Sequence, residues 1–237
     1  MATSTGVQML GSWASPFSNR VQLALKLKSV DYEFVEEVFY ANKSERLLKA
    51  NPVYQKIPVL IHDEKPVCES LVIVEYIDEV WAGNGPSILP SDPYERAIAR
   101  FWAGYIDNKW FPTTKELATA SGDEAKAIVV GKINEGFTLL EEAFVNCSKG
   151  KAFFGGDDVG YLDIALGCYL GWVKVAEIIG GVKLLDESRF PELARWAERF
   201  LSHDVAKDII PEAPKFLEFI GKVQAVRAAA AANTAAD

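Results

Sequence analysis

The spacing of hydrophobic residues changes character once along this chain. Before about residue 85, short runs of β-branched and aromatic residues alternate with segments of helical period. Val7–Leu10 reads as a strand, and Pro16–Lys28, with Val21, Leu23, Ala24, Leu25 and Leu27, as a helix. A second strand is predicted over Asp31–Val38, a short helix over Ser44–Ala50 and a compact strand over Ile57–His62. Asp63-Glu64-Lys65 reads as a turn, Pro66–Cys68 as a return strand and Ser70–Trp81 as a helix. This order, β-α-β-α-β-β-α, implies a small mixed sheet with helices on its faces. Ala82–Pro93 is dense in Gly, Pro and Ser and reads as a linker. Everything beyond it has helical spacing. Asp92-Pro93-Tyr94-Glu95 supplies an N-cap acid, a proline at the first helical position and a glutamate at the third. Ile98, Phe101, Trp102, Tyr105 and Ile106 then form one apolar stripe. Further helices are expected at 123–146, 161–179, 190–202 and 212–226. The chain thus divides into a sheet domain over residues 1–82, a linker over 83–93 and a helical domain over 94–224. An Ala-rich tail over 225–237 is expected to be disordered.

Composition narrows the class without naming a chemistry. Of 237 residues, 49% are hydrophobic and 24% charged, which excludes a disordered or fibrous chain. Twenty-five Lys and Arg against 33 Asp and Glu give a net charge of −8. The acidity is shared by both halves, so no basic face for nucleic acid is expected. Cys68, Cys147 and Cys168 are too few for a disulfide framework, and no C-x-x-C pair occurs. With only His62 and His203 the usual zinc sets are absent, and no metal site is expected. A reduced, cytoplasmic setting fits this cysteine usage. The Met1-Ala-Thr-Ser-Thr-Gly-Val start lacks the basic and apolar regions of a secretory signal. The longest strongly apolar run, Ile164–Val173, is too short to span a bilayer, so no membrane partner is expected.

Three junctions offer chemistry. Ser15-Pro16 stands between the first strand and first helix, where Ser is a good N-cap and Pro a good first residue. It can be a helix start and nothing more. The same place also offers backbone N–H groups and a positive dipole end to an anion such as a thiolate. No cysteine stands there, so the thiol would arrive on a ligand and the Ser15 hydroxyl would bond to it. At the second junction, Pro58 opens an apolar strand and removes a ladder donor. Either this is an edge strand, or a cis Ile57–Pro58 bond turns the preceding backbone towards an extended ligand. At the third, Glu69 and Ser70 stand where a strand yields to a helix. Both can be caps. Together they also meet the needs of an amino-acid head group, a carboxylate for its ammonium and a hydroxyl with free N–H groups for its carboxylate. Lys43 and Lys56 can hold a second carboxylate.

With these residues in place, the sequence resembles a family. Trp13-x-Ser-Pro-Phe17, Asn42-Lys-Ser44, Asn51-Pro-x-x-x-Lys-Ile-Pro-Val-Leu-Ile61, Cys68-Glu-Ser-Leu71 and Tyr76–Trp81 are similar to a plant tau-class glutathione transferase. Leu89–Tyr94, Arg100-Phe-Trp102, Phe153-Phe-Gly-Gly-Asp157 and Gly160–Leu166 continue the match. The resemblance runs from about residue 6 to 222 and implies an α/β thioredoxin-like N-terminal domain plus an all-α C-terminal domain. It implies that Ser15 is catalytic and stabilises the glutathione thiolate. Lys43 and Lys56 would bind the glycine end, the Ile57 backbone the cysteine moiety beside cis-Pro58, and Glu69 and Ser70 the γ-glutamyl head. The second substrate, a small hydrophobic electrophile, would lie between the domains near Phe17, Phe111, Lys115 and Trp172. Glutathione would be a co-substrate rather than a bound cofactor, and the protein a homodimer acting in xenobiotic detoxification and stress response, with glutathione peroxidase as a side activity. The same pocket would equally serve a non-catalytic carrier of hydrophobic metabolites. A thiol–disulfide oxidoreductase on this fold would need sulfur where Ser15 stands. Two positions depart from the family pattern. Gly160 replaces the hydroxyl residue that opens a capping box with Asp163, and Tyr54-Gln55 replaces a basic pair.

Overall fold

The computed structural model describes residues 6–38 and 42–234. The Met1–Thr5 start and the last three residues of the tail lie outside the described residues. Four strands form one sheet in the order β2-β1-β3-β4: β1 (Val7–Gly11), β2 (Glu33–Glu36), β3 (Val59–His62) and β4 (Lys65–Cys68). β1 pairs parallel with β2 and antiparallel with β3, and β3 pairs antiparallel with β4. The register sets Leu10 beside Val59 and Met9 beside Leu60. Strand alternation then decides the two faces. Val7, Met9 and Leu60 join the core under α1 (Pro16–Leu27) and α3 (Ser70–Val80), whereas Leu10 and Val59 meet Leu47 of α2 (Glu45–Ala50). Ser44 caps α2, its hydroxyl accepting from the Leu47 N–H at 3.0 Å.

The second half is helical. α4 (Pro93–Tyr105) runs through a π-helical turn (Ile106–Trp110) into α5 (Phe111–Glu116). Then follow α6 (Asp123–Ser148), α7 (Tyr161–Gly167), α8 (Leu170–Gly180), α9 (Pro191–Ser202) and α10 (Ala213–Thr234). The α4 start is as read: the Asp92 carboxylate accepts from the N–H groups of Tyr94 and Glu95. Three expectations need correction. The stretch 161–179 is two helices, separated at Cys168-Tyr169. The stripe through Ile106 enters a π turn, which places Asp107 inward, and no residue pattern announces it. α10 continues to Thr234, so most of the Ala-rich tail is helical rather than disordered. Alanine has the highest helix propensity, and a helix already started at Ala213 propagates through it.

Asp163 organises the helical half. Its buried carboxylate accepts from the N–H groups of Phe154, Gly155 and Gly160 at 2.9 Å each, and from the Trp196 indole at 2.7 Å. Gly160 has no hydroxyl to return the bond, so Asp163 carries this helix start alone. The linker is tied down as well. Asp78 of α3 accepts from the N–H groups of Ile88 and Leu89 and pairs with the buried Lys28 ammonium at 2.7 Å. Lys28 also donates to the Pro86 carbonyl. Burial opposes charge on Asp78, but the two amides and Lys28 prevail and hold its carboxyl below the usual range.

Candidate active site

The N-termini of α1 and α3 carry Ser15 and Ser70, one at each strand-to-helix junction. Ser15 is the N-cap of α1 and only 3% exposed. Its hydroxyl oxygen accepts from the Ser18 N–H at 3.3 Å, while the Ser12 N–H donates to the Ser18 hydroxyl at 3.1 Å. The hydroxyl hydrogen of Ser15 meets no acceptor among the described residues and is available to a ligand. Glu36 of β2 closes the loop, accepting from the Ser12 hydroxyl at 2.7 Å and the Trp13 N–H.

The second group stands across β3 and β4. Ile57–Pro58 is cis, and Asn51 fixes the chain before it. The Asn51 amide donates to the Lys56 carbonyl at 2.9 Å, and its oxygen accepts from the Tyr54 N–H. Lys43 and Lys56 are both exposed. Glu69, between β4 and α3, has φ +71°, a conformation that L-residues rarely adopt and that costs on the order of 1–3 kcal/mol. It leaves the exposed Glu69 carboxylate without a capping bond.

Ser70 is buried and holds a residue that sequence reasoning missed. The Arg20 guanidinium, wholly buried, donates to the Ser70 hydroxyl at 3.3 Å, to both Asp107 oxygens at 2.8 and 2.5 Å and to the Ala165 carbonyl at 2.7 Å. Tyr169 donates to Asp107 at 2.9 Å. Because Arg20 occupies a lone pair of Ser70, the hydroxyl hydrogen is left to donate elsewhere. The only sequence signal was a charged residue on the apolar face of a predicted helix, and its partner sits in the unsignalled π turn.

The four residues put forward for an electrophile pocket do not form one open wall. Phe111 stacks on Tyr169 with centroids 3.8 Å apart, and Phe17 stands edge-on to both. The Lys115 ammonium covers the Phe111 ring at 4.4 Å. Trp172 lies apart from this trio, donating to the Ala14 carbonyl at 3.1 Å and packing on Phe216 of α10. Gly171 admits that ring; a Cβ there would stand 2.6 Å from it. Trp13 completes the contact, with Phe216 and Phe219 against its indole. A cavity of about 280 Å³ opens beside Ser12 and Trp13 under α10. A slightly larger one, about 310 Å³, lies at the far end of the sheet near His62 and Trp81, away from Ser15.

None of the chain's own thiols suits nucleophilic work. Burial raises all three, with Cys168 pushed up to about 12. No group of His, Cys, Asp and Glu able to hold a metal occurs among the described residues. No helix among them is long and apolar enough to cross a membrane.

A site that offers hydroxyls and helix N-termini but no sulfur of its own agrees with the comparisons to known proteins. The family model "Glutathione S-transferase, N-terminal domain" matches residues 6–79, and "Glutathione S-transferase, C-terminal domain" matches 116–199. The chain belongs to the glutathione S-transferase family. Glutathione S-transferase U17 of Arabidopsis thaliana is 54% identical over 220 residues, covering 93% of this chain and 96% of its own. Glutathione S-transferase U18 of the same plant is 55% identical over 94% of this chain and 97% of its own. A tau-class glutathione S-transferase from mango superposes with a TM-score of 0.90 at 53% identity, covering 93% of this chain and all of that one. A rice transferase solved in complex with glutathione superposes at 0.82 with 36% identity, over 92% of this chain and 97% of that one. Within the family the chain is therefore of the tau class, and the sheet and helical halves are its thioredoxin-like and all-helical domains.

Proposed function

We propose that this tau-class protein is a serine-dependent enzyme conjugating the thiolate of glutathione to hydrophobic electrophiles. The observation that carries the reading is the pairing of two helix N-termini, each with a buried serine whose hydroxyl hydrogen is uncommitted, at the same end of one sheet. Ser15 donates to the thiolate, and the α1 dipole adds to that stabilisation. A free thiol near 8.5 is a few per cent ionised at neutral pH, so a fall of about 1–2 units makes it largely thiolate. Glu69 receives the γ-glutamyl ammonium, and Ser70 with the α3 N-terminus receives the adjoining carboxylate. The Ile57 backbone pairs with the cysteine moiety, while Lys43 and Lys56 hold the glycine carboxylate. Phe17, Phe111, Lys115 and Trp172 border the electrophile. The domain limits proposed are 1–82 and 94–224, around the linker.

Ser70→Ala tests the binding half of this assignment. A hydrogen bond to a charged group contributes about 1.5 kcal/mol, so KM for glutathione is expected to rise about tenfold. Steady-state kinetics at varied glutathione checks it, and an unchanged KM excludes Ser70 from the site.

The protein is further proposed to be a cytoplasmic homodimer serving detoxification. Val72 of α3 and Phe101 of α4 are 56% and 63% exposed beside the Glu75–Arg100 ion pair, and Val53 and Tyr54 are also exposed. Exposed apolar side chains such as these suit a self-complementary contact. Phe101→Glu is expected to shift the protein to monomer in size-exclusion chromatography with light scattering; a monomeric parent protein removes the proposal.

A further inference from the structure

Of the residues expected near the electrophile, Lys115 alone is a cation. Phe111 is buried, with Tyr169 on one face and the Lys115 ammonium 4.4 Å from its centroid. What α5 offers at this point is therefore an ammonium held over a ring. Lys115 makes no ion pair among the described residues. Its nearest charged influences come from two directions: Asp107, already engaged by Arg20 and Tyr169, and Lys56 of the thioredoxin-like domain. Partial burial lowers its pKa, Asp107 opposes that fall and Lys56 adds to it. An exposed ammonium with a like charge nearby and no ion-pair partner is stabilised by whatever anion enters.

We infer that Lys115 selects electrophiles that carry a carboxylate, binding that group while the reactive ring lies towards Ser15. The inference rests on the conjugation reading and names the acceptor class within it. A carboxylate at this point has two sources, the acceptor and the glycine end of glutathione. The acceptor is favoured because Lys43 and Lys56 already supply two cations from the thioredoxin-like domain, whereas Lys115 belongs to α5 and lies on the aromatic group.

The test uses 4-chloro-3-nitrobenzoate and its methyl ester. In each, the glutathione sulfur forms a bond to the chlorine-bearing carbon. The C–Cl bond then breaks, chloride leaves with its electron pair, and the thiol proton passes to solvent. With both rates divided by their uncatalysed values, the carboxylate-to-ester ratio of kcat/KM is expected to fall about tenfold in Lys115→Met, chiefly through KM of the carboxylate. Lys115→Arg is expected to retain it. An unchanged ratio in Lys115→Met overturns the inference. So does a loss confined to KM for glutathione, which assigns the ammonium to the glycine carboxylate. If the parent protein conjugates neither compound, the conjugation reading itself fails. Calorimetric binding of 4-nitrobenzoate and its methyl ester then decides Lys115: a carboxylate preference lost in Lys115→Met supports it, and no preference overturns it.

Discussion

Ser15→Ala is expected to lower kcat/KM for glutathione conjugation about 10²-fold, while the dissociation constant of glutathione changes less than about threefold. The asymmetry follows from where the hydroxyl acts. In the proposed arrangement Ser15 would touch the sulfur alone, whereas the peptide of glutathione would be held by groups on α3, β3 and the α2 side. Alanine keeps the α1 backbone, so the helix N-terminus still favours an anion, but the hydrogen bond to the thiolate is gone. The Ser18 N–H that now donates to Ser15 loses its acceptor too, which adds a modest N-cap penalty of about 1 kcal/mol. The decisive readout is the pH–rate profile. With a weaker stabilisation the bound thiol ionises at higher pH, so the profile of the variant moves upward by about 1–2 units. Much of the lost rate then returns in alkaline buffer. A variant with the parent profile and rate refutes the role of Ser15.

The largest effect on stability is expected at Asp163. Asp163→Ala removes the acceptor of three backbone N–H groups and one indole, all in the core of the helical domain. Leaving buried donors unpaired costs about 1–3 kcal/mol each, and the non-additive total is expected to be about 4–5 kcal/mol. At this chain length that is a fall in Tm of about 10–15 °C, measurable by calorimetry. Burial raises the Asp163 carboxyl to about 6 in spite of its four donors. In the unfolded chain it titrates near 3.9. Between these values the folded protein holds a proton that the unfolded chain has released, so the stability contributed by this group falls as pH rises through 6. The difference in Tm between parent and Asp163→Ala is therefore expected to be larger at pH 5 than at pH 7. A gap below about 3 °C at both pH values rejects this account.

Most of the architecture was legible because its signals are local. The short strand-like runs at Val7–Leu10 and Ile57–His62, and the caps at Ser15 and Asp92, depend on neighbours within four residues. The family motifs added Ser15, Lys43, Lys56, Ile57, Glu69 and Ser70 as the residues proposed for the site. What stayed hidden depends on distant partners. Arg20 meets Asp107 across 87 positions, and no spacing rule links them. The π turn carries Asp107 to Arg20, and the break at Cys168-Tyr169 follows Gly167, where the Phe200 ring comes too close for a Cβ. Phe111 and Trp172 were placed by analogy, and aromatic spacing alone does not announce the Lys115 ammonium over one ring or α10 against the other. The tail failed for a simpler reason: low complexity resembles disorder, yet a run of alanines is the best continuation a helix can have.

The Arg20 arrangement also bears on how such proteins can be recombined. A guanidinium rooted in the sheet half is neutralised by a carboxylate, and further hydrogen-bonded by a carbonyl, from the helical half, so neither part carries a complete set of partners. A chimaera joined within the linker inherits one half of this lock from each parent. It keeps a buried charge satisfied only if its donor of the helical segment brings an acid at 107 and the same backbone path at Ala165. The seam that looks freest to cut is thus the one whose two sides are most strictly matched.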